Sequence, residues 1–127
     1  MRYDEMVANL HEELRLPDQQ HAEKALRATV AVLGERLAGQ EPADLRAELP
    51  QELQQELPTT GDGQPFDADE FVRRVREKEG MGCSQDQVRE HTRAVLSLIL
   101  ARHVAGGERD DVAAQLPQDL RSLMGTR

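Results

Sequence analysis

Tryptophan is absent from this 127-residue chain, and aromatic residues are only 2% of it: Tyr3, Phe66 and Phe71. Sheets lean on aromatic and β-branched side chains, so a core left to Leu, Val, Ala and Ile points to close-packed helices. A single cysteine, Cys83, excludes an intramolecular disulfide and suits a reducing compartment. The longest nearly apolar run, Ala94 to Ala101, is far too short to cross a bilayer. The N-terminus has no apolar signal stretch, because Asp4, Glu5 and Glu12 interrupt it. A cytoplasmic protein with no membrane contact is expected. Basic residues are also in deficit. The net charge is −8, and residues 1–65 hold 6 Lys/Arg against 13 Asp/Glu, while residues 66–127 hold 10 against 11. Such a chain repels phosphate, which argues against general nucleic-acid binding. The acidic half reads as a solvated face, or alternatively as a docking surface for a basic partner.

What the chain does have is a second copy of itself. Leu49-Pro50-Gln51-Glu52-Leu53 returns as Leu116-Pro117-Gln118-Asp119-Leu120, and Asp4-Glu5-Met6-Val7 as Asp69-Glu70-Phe71-Val72. Between those anchors, Ala38-Gly39-Gln40-Glu41 answers Ala105-Gly106-Gly107-Glu108. Anchors in one order and at nearly one separation indicate a duplicated supersecondary unit. The repeats run over about 3–58 and 66–124, joined by a linker at 58–65 whose Pro, Gly and Thr content breaks both periodic patterns. Each unit, at about 60 residues, is too small to bury a core of its own, so a single domain over 1–127 is expected. The fold class is all-α: a compact helical bundle of two sequence-related four-helix repeats sharing one core. The register is imperfect. Arg27-Ala28 and Arg93-Ala94 lie 66 apart, but Gly39 and Gly106 lie 67 apart, so the second long helix must absorb one extra residue.

Local signals place the helices. Met6, Val7, Leu10 and Leu14 make one stripe over about 4–14. Asp18 caps a long helix that runs to about Ala38 and is stopped by Gly39. A short helix covers 42–49, and Pro50 opens the next, carrying Leu53 and Leu57. Asp67 with Glu70, and Ser84 with Gln87, have capping-box spacing, with Phe66/Phe71 and Cys83/Val88 at the staple positions. The helix beginning there is apolar nearly all round from 94 to 101, which marks the central element. Asp111 to Leu116 and Pro117 to Met124 complete the second unit, with Gly106-Gly107 read as a helix C-cap.

Candidate chemistry is sparse. His11-Glu12 starts like a zincin motif, but Arg15 stands where the second histidine is needed. No Glu-x-x-His and no phosphate-binding glycine loop occurs. Cys83 with His91 could form a nucleophile and base, yet the staple position already accounts for an apolar residue at 83. Catalytic, cofactor-binding and metal-ligating residues are therefore left unassigned, and no cofactor is expected. Arg73, Arg74, Arg76 and Lys78 form two ridges of one helix and could contact an anion or nucleic acid; with Glu77 and Glu79 alongside and no aromatic interleaving, an outer solvated face is the plainer reading. Arg27 recurs as Arg93, Glu41 as Glu108 and Asp44 as Asp111, which suggests that Arg27 and Arg93 bridge to Asp44 and Asp111 on the short acidic helix of their own or the other repeat and pin its end.

The ordered set Asp-Glu-apolar-Val, Arg-Ala on a long helix, Ala-Gly-x-Glu and Leu-Pro-x-Glu/Asp-Leu, met twice between Tyr3 and Met124, resembles the bacterial DUF2267 family of unknown function. His91-Thr92-Arg93-Ala94-Val95-Leu96-Ser97 and the stretch from Gly106-Gly107-Glu108 to Gln115-Leu116-Pro117 carry the resemblance best. It implies a compact all-helical, two-repeat protein and no activity. Three function classes follow. The first is a non-catalytic helical protein-interaction or adaptor module with a protein partner, or a second copy of the chain, docking near Leu53, Leu57, Leu120, Leu123 and Met124. The alternative is a small-molecule- or metal-binding protein or enzyme, which requires convergent titratable groups that the sequence does not pair. The third is a weak nucleic-acid binder through Arg73, Arg74, Arg76 and Lys78.

Overall fold

Leucine and alanine at helical spacing, cut by proline, glycine and capping residues, fix where each element begins and ends. A computed structural model describes residues 1–104, 106–116 and 118–125, with side chains to 122. It contains α1 (Tyr3–Leu14), α2 (Gln19–Arg36), β1 (Ala38–Gly39), α3 (Glu41–Glu48), α4 (Gln51–Gln54), β2 (Gly61–Asp62), α5 (Ala68–Glu79), α6 (Gln85–Ser97), a π-helical continuation (Leu98–His103), α7 (Gly106–Ala114) and α8 (Gln118–Gly125). Residues 123–124 and Pro117, which the sequence assigns to a partner surface and a helix start, lie outside the described side chains and residues.

The caps are those the sequence announces. Asp18 Oδ1 accepts from the His21 N–H at 2.9 Å. Ser84 and Gln87 form the reciprocal box, Oγ accepting from the Gln87 N–H and Gln87 Oε1 from the Ser84 N–H. Asp67 accepts from the Glu70 N–H at 3.0 Å, but Glu70 does not reach back, because its carboxylate is held by Arg73 and Arg74. The rings of Phe66 and Phe71 meet at 6.1 Å as a staple requires.

The long elements cross in the middle. α2 packs against α1, α5 and α6, while α6 also meets α1, α5 and α8. One continuous apolar cluster results, from Met6 and Leu10 through Leu26, Leu33, Phe71 and Val95 to Leu120. Residues 58–65 are not a free tether. Gly61 and Asp62 pair antiparallel with Gly39 and Ala38, and the Gly63 and Gln64 N–H groups donate to the Leu37 and Glu35 carbonyls. Gly61 is obligatory there, since a Cβ would run into the Leu37 carbonyl oxygen.

The second long helix widens at its end. Leu98–His103 is wound as a π-helix, and the Val104 N–H donates five residues back to the Ile99 carbonyl at 2.8 Å. Gly106 and Gly107 open α7, and so are not the C-cap read from sequence; the widened π-turn completes the long helix before them. Among the described residues no helix is long and apolar enough to cross a membrane.

Candidate functional site

Two clusters gather residues that lie far apart in the chain. The first forms where α5 hands over to α6. Glu79 is the last residue of α5, Gly80 closes that helix in the left-handed conformation (φ 62°), and Gly82 (φ 73°) turns the chain again. Those two glycines bring Cys83 back beside the end of α5 just before Ser84 caps α6. His91, two turns into α6, then points at Glu79. Its Nδ1 lies 2.9 Å from Glu79 Oε2, with side-chain exposures of 6% and 1%. An ionised carboxylate can only accept, so Nδ1–H donates. The other carboxylate oxygen, Glu79 Oε1, is buried with no hydrogen-bond partner. One donor atom from each of Glu79, Cys83 and His91 lies within 4.8 Å of the other two.

Cys83 is half-buried, and burial, followed by the Glu79 charge, pushes its thiol pKa up. Arg76 partly opposes that shift. The thiol is therefore protonated and poorly nucleophilic by itself. A Cys–His nucleophile–base pair is not what this environment favours.

The second cluster joins the short acidic helices. α3 packs on α7, and carboxylate oxygens of Glu41, Glu108 and Asp111 come within 4.8 Å of one another. Glu108 hydrogen-bonds Glu41, and its pKa is raised to about 7, first by burial, then by the charge of Glu41, that hydrogen bond, and the charges of Asp44 and Glu48. The recurring acids thus meet each other. The expected bridges from Arg27 and Arg93 to Asp44 and Asp111 are replaced. Arg27 donates to the Glu52 carbonyl (2.9 Å) and Glu56 Oε2 (3.3 Å) and stacks over Tyr3, whereas Arg93 pairs with Glu13 and Glu90. The reason is the packing: α3 and α7 face one another, away from the arginines of α2 and α6.

The remaining sequence candidates are placed as follows. Leu53, Leu57 and Leu120 belong to the apolar core at 0%, 4% and 0% exposure, so they offer no docking face. Met1 is the one large apolar side chain exposed among the described residues. Arg73 forks onto Glu70 and Glu77, Arg74 holds Glu70 and Glu35 over the Phe66 ring, and Lys78 reaches Glu35. Three of the four basic residues of α5 are therefore already neutralised, which removes most of the phosphate-binding charge. Arg76 makes no ion pair among the described residues. A surface hollow of about 600 Å³ opens between the α1 N-terminus and the α3–α4 junction, with Glu48 of the helix that carries Glu41 in its lining. His103 lines it, tied to the Glu48 carbonyl at 2.7 Å.

Glu79 was the residue missed from sequence. As one of many glutamates on a charged helix it carried no signal, and only the turn at Gly80–Gly82 sets it beside Cys83 and His91. No curated protein matches the chain. A family model described as an uncharacterized conserved protein, DUF2267, matches residues 3–123, and the chain belongs to that family.

Proposed function

We propose that this protein binds a thiophilic divalent transition metal, of the zinc class, through Cys83, His91 and Glu79. The observation that carries the reading is the buried Glu79 carboxylate, which has one oxygen on His91 and the other without a partner beside a thiol. A buried, half-satisfied charge is costly, and a dication is the group that relieves it. Thiolate with imidazole and carboxylate is a donor set that suits zinc, whereas magnesium and calcium favour oxygen alone. The ion would take His91 Nδ1 in place of the hydrogen bond that joins it to Glu79 Oε2, so that imidazole and carboxylate would hold it together. The C-terminal end of α5 adds a favourable dipole for a cation. Metal–ligand bonds of about 2.0–2.3 Å need the three donors to close in further, and Cys83, on a loop flanked by Gly82, is placed to do so. Metal binding would displace the thiol proton and override the effect of burial on Cys83.

The test is calorimetric titration of the full-length, metal-free protein with zinc. A single ion per chain should bind with proton release, and Cys83→Ser should weaken binding by at least about tenfold. Cobalt(II) in place of zinc should show a thiolate-to-metal charge-transfer band that Cys83→Ser abolishes. Absence of both binding and band would remove the reading. The role so read is binding rather than catalysis.

A further inference from the structure

We propose that a trough between the π-turn, α7 and α8 binds a free aliphatic monocarboxylate. It is a different place from the metal site and does not depend on it. The trough has a volume of about 300 Å³, and α6, the π-turn, α7 and α8 all contribute to its lining. Leu96 and Leu100, four residues apart on the long helix and themselves buried, give it an apolar base. Ala113 of α7 lines it with no more than a methyl group.

Two guanidinium groups share that lining, Arg109 of α7 and Arg121 of α8. Neither is neutralised as the arginines of α5 are by Glu70. The one carboxylate that Arg109 meets among the described residues is Asp110, at 3.9 Å and largely exposed. Arg121 donates to the neutral Gln118 Oε1 at 3.0 Å and has no ion pair among the described residues. Two arginines against one aspartate leave the lining one positive charge in excess, in a chain whose net charge is −8. An apolar base beside an uncompensated guanidinium matches a hydrocarbon chain that ends in a carboxylate. The chain leaves water against Leu96, Leu100 and Ala113, and the carboxylate accepts the forked donors of an arginine. Size separates this ligand from a protein partner. Small-molecule sites begin at about 300 Å³, whereas a stable protein contact covers about 800 Å² on each side. Met1 is the one large apolar side chain exposed among the described residues, and it lies outside this lining, so no apolar surface extends the trough to that scale.

The test is titration of the metal-free, full-length protein with octanoate, octan-1-ol and acetate, followed by backbone amide resonances. Octanoate should give saturable shifts confined to the π-turn, α7 and α8. Octan-1-ol, which lacks the charge, and acetate, which lacks the chain, should each bind roughly tenfold or more weakly. Arg109→Gln/Arg121→Gln, both at exposed positions, should weaken octanoate by a similar factor and leave octan-1-ol unchanged, while Ala113→Phe should block both. Shifts that do not saturate, or that centre on Cys83 and His91, overturn the site. Octan-1-ol binding as tightly as octanoate overturns the selection of a carboxylate, and acetate binding as tightly overturns the apolar base. Unchanged octanoate affinity in the arginine variant overturns the role of the two guanidinium groups.

Discussion

His91 and Glu79 form the most consequential side-chain pair in the molecule. Both are buried, they are joined at 2.9 Å, and the Glu79 carboxylate has no other hydrogen-bond partner among the described residues. Truncating one member of such a pair strands the other, so His91→Ala should destabilise the metal-free protein by about 3–5 kcal/mol in chemical denaturation. Glu79→Ala/His91→Ala should lose clearly less than the sum of the two single variants, since the double variant leaves no stranded charge. An additive cycle would mean that the pair contributes nothing beyond its separate packing. By contrast, the forks of Arg73 onto Glu70 and Glu77 are exposed and contribute little to stability, although they hold the Glu70 carboxylate down at about 2. Legibility at this scale divided along the same line. The caps at Asp18, Asp67 and Ser84 were readable because an N-cap is settled within four residues. The partners of His91 and Arg27 were not, because they depend on which helix faces which.

The α3–α7 contact is where element packing overrides simple charge logic. Two acidic helices brought together repel, and the cost shows at Glu108, whose carboxyl is held well above its ordinary range by burial and the charge of Glu41. Its folded pKa of about 7 stands above the ordinary carboxylate value of 4.5. Between those values the folded chain holds a proton that the unfolded chain has released, so stability falls as pH rises from about 4.5 to about 7 and levels off above. Glu108→Gln removes that dependence and keeps a donor for Glu41. Its melting temperature should match the parent near pH 5 and exceed it at pH 8, by roughly 1–3 kcal/mol in stability. A gap of the same size at both pH values would show that Glu108 does not titrate in this window. The contact escaped sequence reading because 67 residues separate Glu41 from Glu108, and recurrence alone suggested opposite-charge partners. The π-turn at Leu98–His103 lies where the offset between the sequence anchors leads one to expect a surplus residue, although periodicity alone cannot tell a wider turn from a longer helix end.

At the scale of the whole molecule, the proposed duplication and the shared core make one prediction. Each half contributes a long helix, and α2 is covered chiefly by α1, α5 and α6, so two of the three helices that cover it come from the other half of the chain. Two contacts tie the halves at the periphery: the Ala38 N–H donates to Gln115 Oε1 at 2.7 Å, and Arg93 reaches Glu13. Residues 1–58 taken alone would expose the face of α2 that α5 and α6 cover, and would lose the β1–β2 pairing that turns on Gly61. Units of this size are marginal even with their own core intact. The fragment should therefore show little helix and no cooperative melt by circular dichroism, while the full chain unfolds in a single transition whose midpoint agrees between far-ultraviolet signal and hydrogen exchange. Mixing the fragment with residues 59–127 should restore helix in a concentration-dependent way, because the missing cover is then supplied from outside. A fragment 1–58 that melts cooperatively as a monomer would show that the first unit closes its own core. The crossing of α2 over α5 and α6 would then be docking between finished units, not the interior of one.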